Sequence, residues 1–373
     1  MAVTLDAVVV GLGAMGSAAA FHLARRGLRV AAFDRFRPPH AWGSSHGDTR
    51  IIREAYFEHP VYVPMVQRAY ELWVELEQHT ETTLYVCTGG LMIGAPDSVL
   101  VSGTLHSVRE HRLAHELLRA VDLRARFPAL DVPSGMIGVL EPRAGVLFAE
   151  VCVRAHLDAA RRAGADLHLD DPVLRWHEHA DDVTVHAASG RYHAKAMVVS
   201  AGAWVTTLLP AFPLPFTVER QTLYWFDPAR ATDVFSAQRC PIHLWQFEDG
   251  QFFYGFPDLG DGVKVARHHR GRMVDPDRVD RNISQAEIDD IRALVRRFVP
   301  AADGTLRKSA VCLYTNTPDE HFWIDSPAGF PQVLIVSPCS GHGFKFAPAI
   351  GEIVANWLTG TPQRFDLGLF RRR

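Results

Sequence analysis

The hydrophobic pattern begins with a continuous β-branched run, Ala7-Val8-Val9-Val10, which predicts a strand buried on both faces. An apolar, alanine-rich stretch from Ser17 to Arg26 predicts a helix, with Gly27 as its C-terminal stop. Arg29 to Phe33 predicts a second strand, ending at Asp34. Further along, a helix-rich insertion contains His111 to Leu118 and the stop Arg126-Phe127-Pro128. Val151 to Ala163 predicts a helix, and Val183 to Met197 a hairpin leading into the strand Val198 to Ala201. From about Phe216 to Leu313 strands dominate: Tyr224-Trp225-Phe226, Gln251 to Phe256 and Val263 to Ala266, with one helix from Ala286 to Phe298. Ala349 to Leu358 predicts a closing helix. The class is mixed α/β, with no internal repeat and no low-complexity segment.

Gly11-Leu12-Gly13-Ala14-Met15-Gly16 lies between the first strand and its helix. This is the dinucleotide-binding G-x-G-x-x-G in its strand–turn–helix setting. Gly11 permits the tight turn, Gly13 lets a pyrophosphate approach the backbone, and Gly16 lets helix and strand pack closely. The helix N-terminus offers unpaired N–H groups to phosphate. Asp34 stands roughly 20 residues past the glycines, where an acid accepts from the adenosine ribose. Tight packing of helix on strand is the plain alternative. The fingerprint does not separate NAD from FAD.

Charge and cysteine content narrow the class. The 373 residues carry 39 Lys+Arg against 42 Asp+Glu, with no long like-charge block. That excludes the basic footprint of a nucleic-acid or membrane-surface protein. Arg371-Arg372-Arg373 is too short for a binding arm. The five cysteines, Cys87, Cys152, Cys240, Cys312 and Cys339, are odd in number and widely spaced, so neither a disulfide framework nor a structural zinc site is expected. Two apolar segments, Ala7 to Phe21 and Ala196 to Phe212, resemble neither signal peptide nor span: no Lys or Arg precedes Arg25, and the second holds Gly202, Thr206, Thr207 and Pro210. A cytoplasmic protein is expected, with no nucleic-acid or membrane partner.

Several residues invite chemistry. Arg50 and Arg53 lie three apart and would share a face if helical. They flank Ile51-Ile52, which argues for a partly buried segment where arginine needs an anion. Lys345 follows the small residues Ser340-Gly341-His342-Gly343 and precedes a helix. Lys264 sits in a strand whose neighbours Val263 and Val265 would point to the opposite face; an exposed edge lysine is the plain alternative. Cys312 reads by itself as a packed strand cysteine, and Tyr314 shares its face. His111 and His115 stand i, i+4 on a predicted helix, but no third ligand is indicated, so no metal is expected. His177-Glu178-His179 reads as an exposed hairpin.

The stretch Gly43-Ser44-Ser45-His46-Gly47-Asp48-Thr49-Arg50-Ile51-Ile52-Arg53-Glu54-Ala55-Tyr56 resembles the monomeric sarcosine oxidase and N-methyltryptophan oxidase group of D-amino-acid-oxidase-like flavoproteins. The resemblance recurs at Glu141-Pro142, Val199 to Trp204, Tyr254-Gly255-Phe256-Pro257, Val263-Lys264, Ala310 to Thr315, Pro318 to Phe322 and Ser340 to Phe346. It implies a Rossmann-like FAD-binding domain interleaved with a substrate domain on a mostly antiparallel sheet. The FAD part would be residues 1-78, 145-215 and 320-373, and the substrate part 79-144 and 216-319.

The resemblance also implies roles. Arg53 and Lys345 would bind a substrate carboxylate, and Arg50 would lie above the flavin. Lys264 would serve oxygen activation, with His268, Tyr254 and Tyr314 in the active site. His269 carries no implied role. Cys312 would attach covalently to FAD. Gly11, Gly13, Met15, Gly16 and Asp34 would contact the cofactor, as would Ser44, His46, Thr49, Val173, Gly202, Trp204, Gly341 and Gly343. The implied activity is oxidation of N-methyl or other secondary α-amino acids by O2, in a monomer. Substrates such as N-methyltryptophan, pipecolate and proline stay open, as do a dehydrogenase and a non-catalytic flavin protein. Three departures bear on substrate size: Ser337-Pro338-Cys339, Glu54 where histidine is frequent, and Gly250 to Tyr254.

Overall fold

The computed structural model describes residues 5–230 and 232–371. Strand β1 (Leu5–Val10) runs parallel to β2 (Val30–Asp34) on one side and to Gly190–Val199 on the other. Asp166–Leu169 continues the parallel set beyond β2, and Val333–Ser337 continues it beyond Val199. The ten-residue strand Gly190–Val199 serves two neighbours along one edge: its first half pairs antiparallel with Val183–Ala187, its second half parallel with Val333–Ser337. Val173–Glu178 and Trp323–Asp325 complete eight strands. Helix α1 (Ala14–Ala24) is apolar on every side because every side is covered, with Ala347–Thr359 and Ala149–Arg162 packed against it. A methyl on Gly351 would meet the Ala18 carbonyl oxygen at 2.7 Å, so that helix contact is close.

A nine-stranded sheet faces this unit. Thr217–Phe226 pairs antiparallel with Val263–His268 and, along its whole length, with Leu306–Asn316. Gln251–Asp258 and Ile242–Glu248 extend the sheet, and Gly90–Gly94 joins by its one parallel pairing. A three-stranded sheet couples β3 (Thr49–Ile52) to Gly145–Phe148 and then to Tyr85–Cys87.

Most predicted elements are present with shifted ends. α1 begins at Ala14 rather than Ser17, so Met15 and Gly16 lie in its first turn. Arg50 is on strand β3, not on a helix, and Arg53 follows the strand's end. The His111 to Leu118 helix is corrected: the helix is Val99–His111, and Arg112 caps it in the left-handed region at φ 53°. His115 lies beyond that cap, and Glu116–Arg119 is a strand. The two imidazoles bond to the carbonyls of Pro60 and Leu113, so they share no ligand face. Lys264 is not on an exposed edge: its strand has neighbours on both sides and Val263 to Ala266 are all buried. Arg372 and Arg373 lie outside the described residues.

Candidate active site

Parallel strands end together. The carboxyl ends of β1, β2, Gly190–Val199 and Val333–Ser337 bring Gly11, Asp34, Ser200 to Gly202 and Pro338 to Gly343 to one edge, where α/β sheets take their ligands. A cavity of about 1180 Å³ opens there and runs under the nine-stranded sheet. It is lined at one end by Val173 and Trp204, and at the other by Arg53, Tyr254, His268, Tyr314 and Lys345. Its volume exceeds the range of an ordinary small-molecule pocket and suits an extended cofactor plus a small substrate.

The nucleotide end is built by close approach. Gly11 sits at φ 91°, and a methyl there would lie 2.5 Å from the Ser200 carbonyl oxygen. A methyl on Gly16 would fall 1.7 Å from the Gly11 carbonyl oxygen. Only hydrogen at these positions lets the turn fold onto the helix and leave its N-terminus open to the cavity. The Ala14 N–H donates to Ser45 Oγ at 3.1 Å. Asp34 accepts the N–H groups of Leu12 at 2.7 Å and Phe36 at 2.8 Å. Each carboxylate oxygen retains further acceptor capacity on the cavity wall. Glycine cradle, open helix end and strand-terminal acid together fit a dinucleotide such as FAD.

The loop from Gly43 to Thr49 is tied down by charges. Glu150 accepts the N–H groups of Gly47 at 2.7 Å and Asp48 at 3.1 Å. The Arg50 guanidinium donates to the carbonyls of Ser44 and His46, both at 2.6 Å, and of Thr49 at 2.8 Å. It also lies 3.6 Å from Cys312 Sγ. Burial would raise the Cys312 thiol pKa, but a hydrogen bond from His46 and the charges of Arg50 and Lys264 outweigh it and bring the thiol down to about 7.

Lys264 stands one layer behind the cavity wall. Its Nζ donates to the carbonyls of Gly47 at 2.6 Å and Thr49 at 2.8 Å, and to Thr49 Oγ1 at 3.1 Å. Burial, then the Arg50 charge, hold it well below the usual lysine range. Gly16 and His46 are likewise off the wall, and all three touch predicted residues that line it: Gly16 packs on Gly11, His46 accepts from Arg50, and Lys264 donates to Thr49.

The far end gathers cations around one aromatic ring. Arg53 is 3% exposed, with Cζ 4.3 Å above the Tyr56 ring centroid. Lys345 is 5% exposed and donates to Tyr56 Oη at 3.0 Å and the His342 carbonyl at 2.8 Å. Burial first, then Arg53, lower the Lys345 ammonium to about 7. Over this end lie Tyr254, Tyr314 and His268, whose Nδ1 is 3.2 Å from Tyr314 Oη. Burial pushes Tyr254 up to about 12 and Tyr314 well above its usual value, so both hydroxyls stay protonated donors. A methyl on Gly341 would meet the Tyr314 ring at 2.5 Å and His268 Cε1 at 2.6 Å. Glu54 is turned away: its carboxylate pairs with Arg143 at 2.6 Å and it is not on the wall, whereas Pro338 and Cys339 are.

Among relatives, residues 6–357 match the family described as DAO, FAD dependent oxidoreductase. The chain belongs to the FAD dependent oxidoreductase family. It is 43% identical to a monomeric sarcosine oxidase of Streptomyces avermitilis, over 100% of this chain and 98% of that protein. It is 37% identical to an N-methyl-L-tryptophan oxidase of Salmonella agona, over 98% of each. The solved structure of NikD, an unusual amino acid oxidase essential for nikkomycin biosynthesis, shares the fold at TM-score 0.86 and 24% identity, covering 99% of this chain and 98% of that one.

Sequence reading passed over residues that contact the predicted ones. Tyr56 and Glu58 complete the cation cluster, with Arg53 Nη2 2.8 Å from both Glu58 oxygens. An acid five residues past an arginine, in the aromatic segment Ala55-Tyr56-Phe57, was the available signal. Ser45, Glu150, Glu219 and His269 gave none, because their partners are distant in sequence. Among the described residues no group of His, Cys, Asp and Glu could hold a metal, and no helix is long and apolar enough to cross a membrane.

Proposed function

We propose that this protein is a FAD-dependent oxidase of N-methyl or other secondary α-amino acids. The observation that carries the reading is the pair of buried cations, Arg53 and Lys345, at one end of a cavity whose other end is a dinucleotide cradle. A planar guanidinium and an ammonium suit a carboxylate. The relatives named for sarcosine and N-methyl-L-tryptophan support the substrate class.

FAD, when bound, would supply the acceptor for a hydride equivalent from the C–H beside nitrogen; with the N–H proton also lost the amine becomes the imine, and the two electrons and two protons leave on O2 as H2O2. Gly11, Gly13, Met15, Asp34, Val173, Gly202 and Trp204 would hold its nucleotide part. Arg53 and Lys345 fix the carboxylate, which leaves the amine one orientation. The aromatic roof of Tyr254 and Tyr314 excludes water while the amine is oxidised. The imine then takes water; from sarcosine the products are glycine and formaldehyde, with O2 leaving as H2O2. Arg50, on the cavity wall, would provide positive charge that stabilises reduced oxygen, and Lys264, one layer behind and bonded to Thr49, would serve oxygen activation from there.

Cys312 is the covalent attachment point in this reading, and its lowered thiol pKa supports that role. The FAD-binding part would comprise 1-78, 145-215 and 320-373, and the substrate part 79-144 and 216-319. The eight-stranded sheet falls within the first set and the nine-stranded sheet within the second, in support. The protein would act as a monomer in the cytoplasm. The test is anaerobic mixing with a panel of N-methyl and cyclic amino acids, followed by admission of oxygen. Flavin bleaching by a secondary amino acid, then peroxide, is the expected result. Reduction with no peroxide overturns the oxidase reading; no bleaching by any secondary amino acid overturns the substrate class.

A further inference from the structure

Behind the candidate site lies a histidine to which the function assigns no role. His269 follows the strand Val263–His268 and takes the left-handed conformation, φ 54°. The turn places its ring against that of His268, with centroids 4.1 Å apart, and 5.4 Å from the Tyr314 ring. Both ring nitrogens face groups that only accept. Nε2 lies 3.1 Å from the Ser340 carbonyl oxygen, and Nδ1 lies 3.5 Å from Glu219 Oε2. A neutral imidazole would turn a lone pair toward one of these oxygens; the imidazolium satisfies both. Glu219 is itself 4% exposed and anchored, accepting the Gly271 N–H at 2.5 Å and Asn316 Nδ2 at 2.8 Å.

Ser340 is fully buried, sits at φ 54°, and precedes Gly341, where an added methyl would enter the Tyr314 and His268 rings. The bond from His269 therefore holds the backbone that sets the floor of the site. We propose that His269 is a positioning residue: as an imidazolium paired with Glu219, it fixes the Ser340–Gly341 backbone and keeps adjacent His268 neutral. The proposal rests on the reading of His268 as a substrate-site residue.

The surrounding charges agree. Burial would lower His269, but Glu219 on the strand Thr217–Phe226, Glu320 and the Ser340 carbonyl raise it. His268 is lowered well below its usual value, by burial first and then by His269, His342, Lys345 and Arg53. Tyr254 and Tyr314 also face His268, and both remain protonated. Of the groups that shift His268, His269 lies nearest by ring contact and is paired on its far side with Glu219, as Arg53 is paired with Glu58. Removing its charge releases the restraint on His268 without touching Arg53 or Lys345.

The experiment compares wild type with His269→Gln and Glu219→Gln. In each FAD-loaded protein the rate of anaerobic flavin reduction by N-methylglycine is followed against pH. The first variant deletes the charge; the second lets His269 lose its proton at lower pH. Both are expected to move the acid limb of the profile upward, by roughly one pH unit. A purely structural role lowers rate or melting temperature and leaves the limb in place, and that result in both variants overturns the proposal. Imidazole ¹⁵N titration of the wild-type protein needs neither turnover nor a folded variant. It is expected to find His269 charged and His268 neutral at pH 7; a neutral His269 overturns the proposal whatever the substrate proves to be.

Discussion

Arg53 and Glu58 form a two-pronged ion pair, with one guanidinium nitrogen 2.8 Å from each carboxylate oxygen. Arg53 is buried and Glu58 nearly so, and Glu58 is held below the usual carboxylate range: burial opposes its charge, but Arg53, His342 and Lys345 favour it more. An internal carboxylate thus stands on the cation proposed to receive the substrate's. Entry of a substrate exchanges one carboxylate for another. The cost of burying charge is already met before the ligand arrives.

Glu58→Gln removes the competing anion and leaves a neutral amide of similar shape. Binding of a simple carboxylate ligand is expected to tighten about ten-fold, the order of one charge-assisted hydrogen bond no longer displaced. Titration of the flavin spectrum with acetate or pyrrole-2-carboxylate measures it. Weaker binding would mean that Glu58 holds Arg53 in its receptive pose rather than competing for it.

Lys345 sets a pH dependence whose sign follows from its role. Its ammonium is lowered to about 7, by burial first and by Arg53 next. Carboxylate binding needs the charged form, which is complete below that value and lost above it. The dissociation constant of a carboxylate ligand is therefore expected to be flat in acid. It should rise by up to about ten-fold per pH unit above neutrality, until the pKa of the complex is reached. Lys345→Met should bind more weakly throughout and lack that limb. A limb that persists in this variant assigns the titration elsewhere.

Cys312 carries a prediction about retention of the cofactor. Its thiol, near neutrality through His46, Arg50 and Lys264 against the effect of burial, is a ready nucleophile. Acid precipitation of wild type should leave the yellow colour in the pellet. Cys312→Ser should release nearly all of it to the supernatant. Release from wild type would leave Cys312 as a packed thiol beside Arg50.

What was legible in the chain follows from the range of the interactions involved. The Ala7 to Val10 run, the glycine turn and Asp34 lie within one βαβ unit, so local pattern alone located the cofactor cradle. Resemblance singled out Arg53, Lys264 and Lys345, while the local pattern of the chain left the settings of Arg50 and Lys264 open. Arg50 looked helical by spacing, yet pairs in a strand with Leu147, nearly a hundred residues away. An exposed edge stayed an alternative for Lys264 because the strands on both sides of it were invisible to its own alternation. His111 and His115 failed for a local reason: Arg112 enters the left-handed region and ends the helix between them. The supporting acids, Glu150 and Glu219, hold backbone N–H groups more than fifty residues distant, and no spacing rule reaches that far.

Gly341 offers a test that separates backbone strain from obstruction. It sits at φ 76°, and a methyl there would enter the rings of Tyr314 and His268 at 2.5 and 2.6 Å. Gly164, at φ 94° beyond the helix Ala149–Arg162, has nothing within 4 Å of the same position. Both alanine variants bear the left-handed penalty, about 1 kcal/mol. Gly164→Ala should lower stability by that amount and leave flavin reduction unchanged. Gly341→Ala must also push apart the two side chains that roof the substrate end. A displacement near 1 Å costs on the order of 10²-fold in rate. Anaerobic reduction should therefore slow by about that factor in Gly341→Ala, and its melting temperature should fall below that of Gly164→Ala, because overpacking adds about 1–3 kcal/mol to the penalty common to both. Equal reduction rates in the two variants would show that Tyr314 and His268 yield freely, and that their placement does not limit the reaction.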